Sequence, residues 1–211
     1  MKKSGKKILT VVLCVLVVSG GLTACSPKEA GSQDNLFQFI LQEGTLVPSR
    51  GEFLTPMEQV LEDNGWTEDQ LEDMTQGEGK ELTQTLEVAG LPQVTETLTF
   101  QENTVTQEPQ GMVLMGVSYL VSAGEEDPQE VWQTLAQQAE AVLTEEGDIA
   151  LLTPENGVAQ GESTSWGDRE GNQVNVTFSQ LEETPTMALV ELHSGEITAA
   201  VAQQRSLRGV E

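Results

Sequence analysis

MVLMGVSYLVSAGEEDPQEVWQTLAQQAEAVL (residues 112–143) contains the change of hydrophobic period that decides the fold. Its first ten residues, MVLMGVSYLV, are apolar at both odd and even positions, the pattern of a central strand. Asp127-Pro128-Gln129-Glu130 then reads as a helix start, with Asp at the cap, Pro in the first turn and Glu three residues after the cap. Val131, Trp132, Leu135, Ala136, Ala139, Val142 and Leu143 fall on one helical face over four turns, opposite Gln and Glu, with Gly147 as the expected stop. A strand followed by a one-sided helix predicts an α+β fold in which helices pack on one face of an antiparallel sheet.

The flanking sequence extends this pattern in both directions. Upstream, residues 36–41 (LFQFIL) form an apolar cluster expected to dock into the fold. Thr55-Pro56-Met57-Glu58 predicts a capped helix carrying Val60 and Leu61 and ending at Asn64-Gly65. Thr67-Glu68-Asp69-Gln70 predicts a second short helix with Leu71 and Met74, closed by Gly77-Glu78-Gly79. Residues 81–89 and 94–100 read as strands. Downstream, strands are expected at 157–166, 174–178 and 187–193, with a turn at Asp168-Arg169-Glu170-Gly171-Asn172; residues 195–203 are ambiguous. Three landmarks recur: Pro56 and Pro128, Phe100 and Phe178, and Met112-Val113-Leu114 and Met187-Ala188-Leu189. Their offsets of 72 to 78 residues predict a degenerate tandem αβββ repeat with halves at 50–123 and 124–194.

The N-terminus has a different character. Lys2, Lys3, Lys6 and Lys7 precede an apolar run of eleven residues at 8–18, too short to span a bilayer. Leu22-Thr23-Ala24-Cys25 resembles the lipobox of bacterial lipoproteins. The resemblance implies that residues 1–24 are a removed signal peptide, that Cys25 carries diacylglycerol, and that the mature protein is lipid-anchored (an acyl and palmitate type of anchor) at the extracytoplasmic face of the cell membrane. Two or more acyl chains are needed for stable anchoring. Residues 25–35 would be the lipidated Cys and a tether, 36–203 the α+β domain, and 204–211 a disordered tail.

The 211-residue chain has 10 Lys+Arg and 34 Asp+Glu, a formal net charge of −24. Residues 1–24 hold four of the ten cations and no acid, so their removal leaves 187 residues carrying −28. That surface repels phosphate backbones and excludes nucleic acid as a partner. Cys14 leaves with the leader and Cys25 is consumed by lipid, so no thiol remains for a disulfide, a nucleophile or a metal site. The mature part also resembles small α+β lipoproteins of the BamE/SmpA-like type and the β-lactamase inhibitor proteins, at Asn64-Gly65-Trp66-Thr67-Glu68-Asp69-Gln70-Leu71. Here Asp73-Met74-Thr75 replaces the Gly-x-Pro usual after the second helix, and the resemblance concerns fold class alone.

No catalytic constellation is read from the chain. His193 is the single His, expected at a solvated strand end, and there is no Gly-x-Ser-x-Gly elbow. One His without a free Cys does not make a zinc site. Acid pairs are frequent: Glu62/Asp63, Glu68/Asp69, Glu72/Asp73, Glu125/Glu126/Asp127, Glu145/Glu146/Asp148 and Glu182/Glu183. Glu68, Asp69, Glu72 and Asp73 would place like charges four apart on the second short helix, a weak cation site at most. Among the three tryptophans, Trp132 is expected in the core, Trp66 beside a helix end, and Trp166 at a turn as the most exposed; Trp166 and Trp66 are the candidate ligand-binding residues. The expectation is a non-enzymatic binding or interaction module of the cell envelope, without cofactor or metal. It would be held to the membrane through Cys25 and could face an envelope protein or wall component. The alternatives are a cell-wall carbohydrate hydrolase using paired carboxylates and a small solute-binding lipoprotein.

Overall fold

Residues 34–106, 108–144, 149–152, 163–179 and 187–207 are described by the structure, a computed structural model. The expected signal peptide at 1–24, Cys25, the expected tether to residue 33, Gly147, residues 157–162, the acid pairs Glu145/Glu146/Asp148 and Glu182/Glu183 and the last four residues lie outside them.

A one-turn 3-10 helix, Leu36–Phe39, opens the described chain, capped by the Asn35 side chain. The hairpin β1 (Leu41–Gln42) and β2 (Thr45–Leu46) follows, then helix α1 (Met57–Asn64). Next come β3 (Glu72–Asp73), β4 (Lys80–Val88), β5 (Leu91–Glu102) and β6 (Met112–Ser122). Helix α2 (Pro128–Ala139) continues as a π-helical turn over Glu140–Thr144. The remaining elements are β7 (Ala150–Leu152), β8 (Ser163–Gly167), β9 (Gln173–Ser179), β10 (Met187–His193) and α3 (Gly195–Leu207).

Eight strands form one antiparallel sheet in the order β3-β4-β5-β6-β10-β9-β8-β7. The order is palindromic. Two four-stranded meanders, each preceded by a helix, meet through their last strands. Each half therefore carries a short edge strand beyond the three expected. Phe100 pairs with Leu114 and Phe178 with Ala188, so the echoed landmarks lie at matching places to within one residue. The β5–β6 irregularity between Thr99 and Phe100 places Phe100 opposite Leu114 rather than Met115.

Strand alternation sends every second side chain to the same face. One row across that face is Leu82, Leu98, Val117, Leu192, Val174, Trp166 and Leu151. Its neighbour is Gln84, Glu96, Tyr119, Val190, Val176 and Thr164. Val60 and Leu61 of α1 and Val131, Leu135 and Ala139 of α2 join this face in a single core. The opposite face carries Thr83, Thr97, Ser118, Glu191, Asn175 and Ser165, with Leu120 partly exposed. Thus β6 is central, as expected from its sequence, and α1 and α2 pack on one face of the sheet.

Leu36, Phe37, Phe39 and Ile40 are buried, as their cluster predicted. Gln138 holds them: its Oε1 accepts from the Leu36 N–H, and its Nε2 donates to the Ala89 carbonyl. Asp127 caps α2 by accepting from the Gln129 N–H. Gly65 stops α1 in the left-handed region, as read from Asn64-Gly65.

Four local expectations are corrected. Thr55 does not cap α1; its carbonyl accepts from the Leu114 N–H while Pro56 bridges to Val113, so sheet pairing captures the residue that would have capped. The second short helix is one 3-10 turn, Glu68–Gln70; Leu71 leaves it in an extended conformation, and Glu72–Asp73 pair with β4. Gly77 and Gly79 accordingly belong to the β3–β4 turn, where Met74 N–H donates to the Gly79 carbonyl. Finally, residues 195–203 are helical, and α3 runs four residues past the expected domain end at 203.

The turn after β8 is held by one carboxylate. Asp168 accepts from Glu170 N–H and Asn172 N–H through Oδ1, and from Asn172 Nδ2 and the distant Leu46 N–H through Oδ2. Hydrogen bonds to a charged group are the stronger kind. Asp168→Ala should therefore lower the unfolding free energy by about 2 kcal/mol in urea denaturation. A loss under about 0.5 kcal/mol, the usual size for a surface position, would show that the turn holds itself.

Candidate functional site

Two hollows and one buried polar cluster stand out among the described residues. The first hollow lies where the core face of the outer strands extends beyond α2. Trp132, Ala136 and Glu140 are spaced by four and form one stripe along that helix. Opposite them stand Trp166 and Thr164 of β8, Val176 of β9 and Leu151 of β7. The register explains the grouping: Leu151 pairs with Trp166 and Thr164 with Val176, so all four share one sheet face. Together with Ala139 these residues enclose a cavity of about 320 Å³.

Trp132 is half-buried and stacks on Phe178, with ring centroids 4.9 Å apart. It joins the core from its edge rather than sitting within it. Ala136, expected on the buried face, is exposed to the cleft. Trp166 is 8% exposed, which corrects the expectation that it is the most accessible of the three. The register places its ring on the core face and leaves only an edge to the cleft. Leu151 is 62% exposed, the more accessible of the two exposed large hydrophobic residues among those described.

Trp66 is elsewhere. It is half-buried, and the Arg50 guanidinium lies over its ring at 5.7 Å, a cation–π contact. The two tryptophans read from the sequence as ligand candidates are therefore not brought together; Trp166 joins Trp132 instead.

The second hollow is larger, about 630 Å³, and lies between the β1–β2 hairpin, the Asp168 turn and the start of α3. Glu43, Glu52, Glu170 and Glu196 line it with Gln42, Phe53, Asn172 and Ser194. None of these acids belongs to a pair singled out in the sequence. Among the described residues, no three His, Cys, Asp or Glu groups are placed to hold a metal ion. The like-charge helix proposed for Glu68, Asp69, Glu72 and Asp73 does not form. Asp73 pairs with Lys80 across β3–β4, and that hydrogen bond holds its carboxyl below the usual carboxylate range. His193 is exposed at the end of β10.

The polar cluster is internal. Glu96 is fully buried on the core face, with Arg50 Nε 3.4 Å from its Oε2 and Gln84 donating to the same oxygen. Asn64 Nδ2 donates to the Arg50 carbonyl and fixes that segment. Tyr119 is paired opposite Glu96 in the neighbouring strand. The hydroxyls of Ser49 and Tyr119 and the second Glu96 oxygen have no partner among the described protein groups. Burial first, and the Glu96 charge second, hold the Tyr119 hydroxyl well above the ordinary range for its ionisation, with Arg50 opposing.

Among the described residues, no helix is long and apolar enough to cross a membrane. Comparison with known proteins returned no matching family model, no matching curated protein and no matching solved structure.

Proposed function

We propose that the chain is a lipid-anchored extracytoplasmic binding module of the cell envelope, with its ligand site in the cleft between α2 and β7–β9. The observation that carries this reading is the cleft's composition. Two tryptophans, Leu151, Val176 and two alanines converge on one concavity with Thr164 and Glu140 as its polar groups. Binding sites for small molecules are concave and mainly apolar, with a few polar groups to orient the ligand. The anchor follows from the Cys25 lipobox and its lysine-led leader.

Two measurements test the reading. An alkyne-tagged fatty acid fed to expressing cells should label the chain, and Cys25→Ser should abolish the label; labelling that persists in that variant would refute the anchor. Ala136→Phe projects a ring into the cleft from an exposed position. It should weaken binding of the apolar fluorophore N-phenyl-1-naphthylamine to the full chain in lipid nanodiscs by about tenfold or more. Equal binding by both forms would place the fluorophore elsewhere and remove the cleft's support.

A second reading, a cell-wall carbohydrate hydrolase, draws on the glutamate-lined hollow, since glycoside hydrolysis uses two carboxylates across a cleft. It predicts release of reducing ends from cell walls that Glu52→Gln or Glu170→Gln abolishes.

A further inference from the structure

We infer that the ligand of the Trp132–Trp166 cleft is an organic cation, an ammonium group attached to an apolar or aromatic body. This rests on the proposal that the cleft is the binding site and adds the ligand's charge. Among the described residues, Glu140 is the single ionisable group lining the cleft, and every other lining residue is apolar except Thr164. Among the described residues, no Lys or Arg lines it. Among the described basic residues, Arg50 is engaged with Glu96 and Lys80 with Asp73.

Charge complementarity then selects the occupant. A neutral ligand that filled the cleft would displace water from Glu140 and return nothing to its carboxylate, a cost that grows as the medium becomes less polar. An anion would add repulsion from Glu140 to that of a domain carrying −28. A cation gains on both counts. It pairs with the carboxylate, and the half-buried Trp132 ring on the same helical stripe adds cation–π attraction to a cation held at Glu140. The helix contributes as well. Glu140 stands where α2 widens into its π-helical turn, a feature frequently found at functional sites, and near the carbonyl end of the helix, which favours positive charge.

The test uses two probes of nearly equal shape, benzyltrimethylammonium and its neutral carbon isostere neopentylbenzene, titrated by tryptophan fluorescence against the full chain in nanodiscs. The ammonium should bind about tenfold or more tightly than the isostere. Glu140→Gln, at an exposed position, should remove most of that preference, and Ala136→Phe should weaken both probes. Equal affinities for the two probes in the native chain, each lost in Ala136→Phe, would overturn the cationic inference and leave the cleft intact as a binding site. If neither probe bound, or if Ala136→Phe left both unchanged, the cleft reading itself would fall. A preference that survived Glu140→Gln would also overturn the inference, by placing its source outside the cleft.

Discussion

Arg50→Met should destabilise the fold by about 3–5 kcal/mol, the largest loss expected from any single substitution considered for this chain. The substitution nearly preserves volume, so little of the loss comes from packing. Most comes from Glu96, which is fully buried and would lose its charged partner, leaving Gln84 as its one side-chain donor among the described residues. Arg50→Met together with Glu96→Leu removes both charges. It should recover most of the loss, because a well-packed apolar pair is often as stable as a buried ion pair. Urea midpoints at equal m-value measure all three states. If Arg50→Met costs under 1 kcal/mol, or if the double variant falls below the single one, the carboxylate is not held by Arg50. Trp66 gives a second readout, since its ring lies beneath the guanidinium and its emission should shift when Arg50 is replaced.

Glu96 also shows how far the sequence could be read. Val94, Glu96 and Leu98 share a parity in β5, so alternation alone puts a carboxylate among core residues. A charge at a buried parity calls for a partner, and that signal is local. The identity of the partner is not local, because Arg50 lies 46 residues upstream in an irregular segment with no period of its own. The same contrast runs through the rest of the molecule. The central strand, the long capped helix and the paired halves follow from hydrophobic period and capping chemistry, which act over a few residues. The second short helix failed because pairing with β4 outweighed the propensity of a four-residue stretch, whose cap survives in one 3-10 turn, with the Gln70 side chain reaching back to the Thr67 N–H.

The candidate cleft was half legible. Trp132 and Trp166 stand out in a chain with 4% aromatic residues, and the four-residue spacing from Trp132 through Ala136 to Glu140 is visible in the sequence. That β8 would lay Trp166 beneath this stripe depends on register between strands, which no single strand encodes. Leu151 gains its place only from pairing with Trp166. The glutamate-lined hollow was not legible at all. Glu43, Glu52, Glu170 and Glu196 come from four separate places in the chain, and in a sequence with 34 acids none of them is conspicuous.

Tyr119 should keep its proton beyond pH 10 for as long as the fold survives, and its ionisation should coincide with alkaline unfolding. It is the only tyrosine in the chain, so phenolate absorbance reports this residue alone. The ring is fully buried and lies 6.4 Å from that of Phe39, and the hydroxyl has no hydrogen-bond partner among the described protein groups. Ionisation would put a second negative charge beside Glu96, with Arg50 as the one opposing charge. The ionisation point in the folded state is therefore raised above its unfolded value of about 10. Below that unfolded value both states hold the proton, and the group's stabilising contribution is fully present. Above it the unfolded chain loses the proton and the folded chain keeps it, so stability falls by up to about 1.4 kcal/mol per pH unit until the folded value is reached. Tyr119→Phe deletes both the titration and an unpaired buried hydroxyl. It should shift alkaline unfolding to higher pH, and at pH 7 it should leave stability unchanged or raise it by about 1 kcal/mol. Phenolate absorbance rising with a midpoint near pH 10, while the tryptophan signal of the folded protein persists, would show that solvent reaches this hydroxyl and that the Arg50–Glu96–Tyr119 cluster is open rather than sealed in the core.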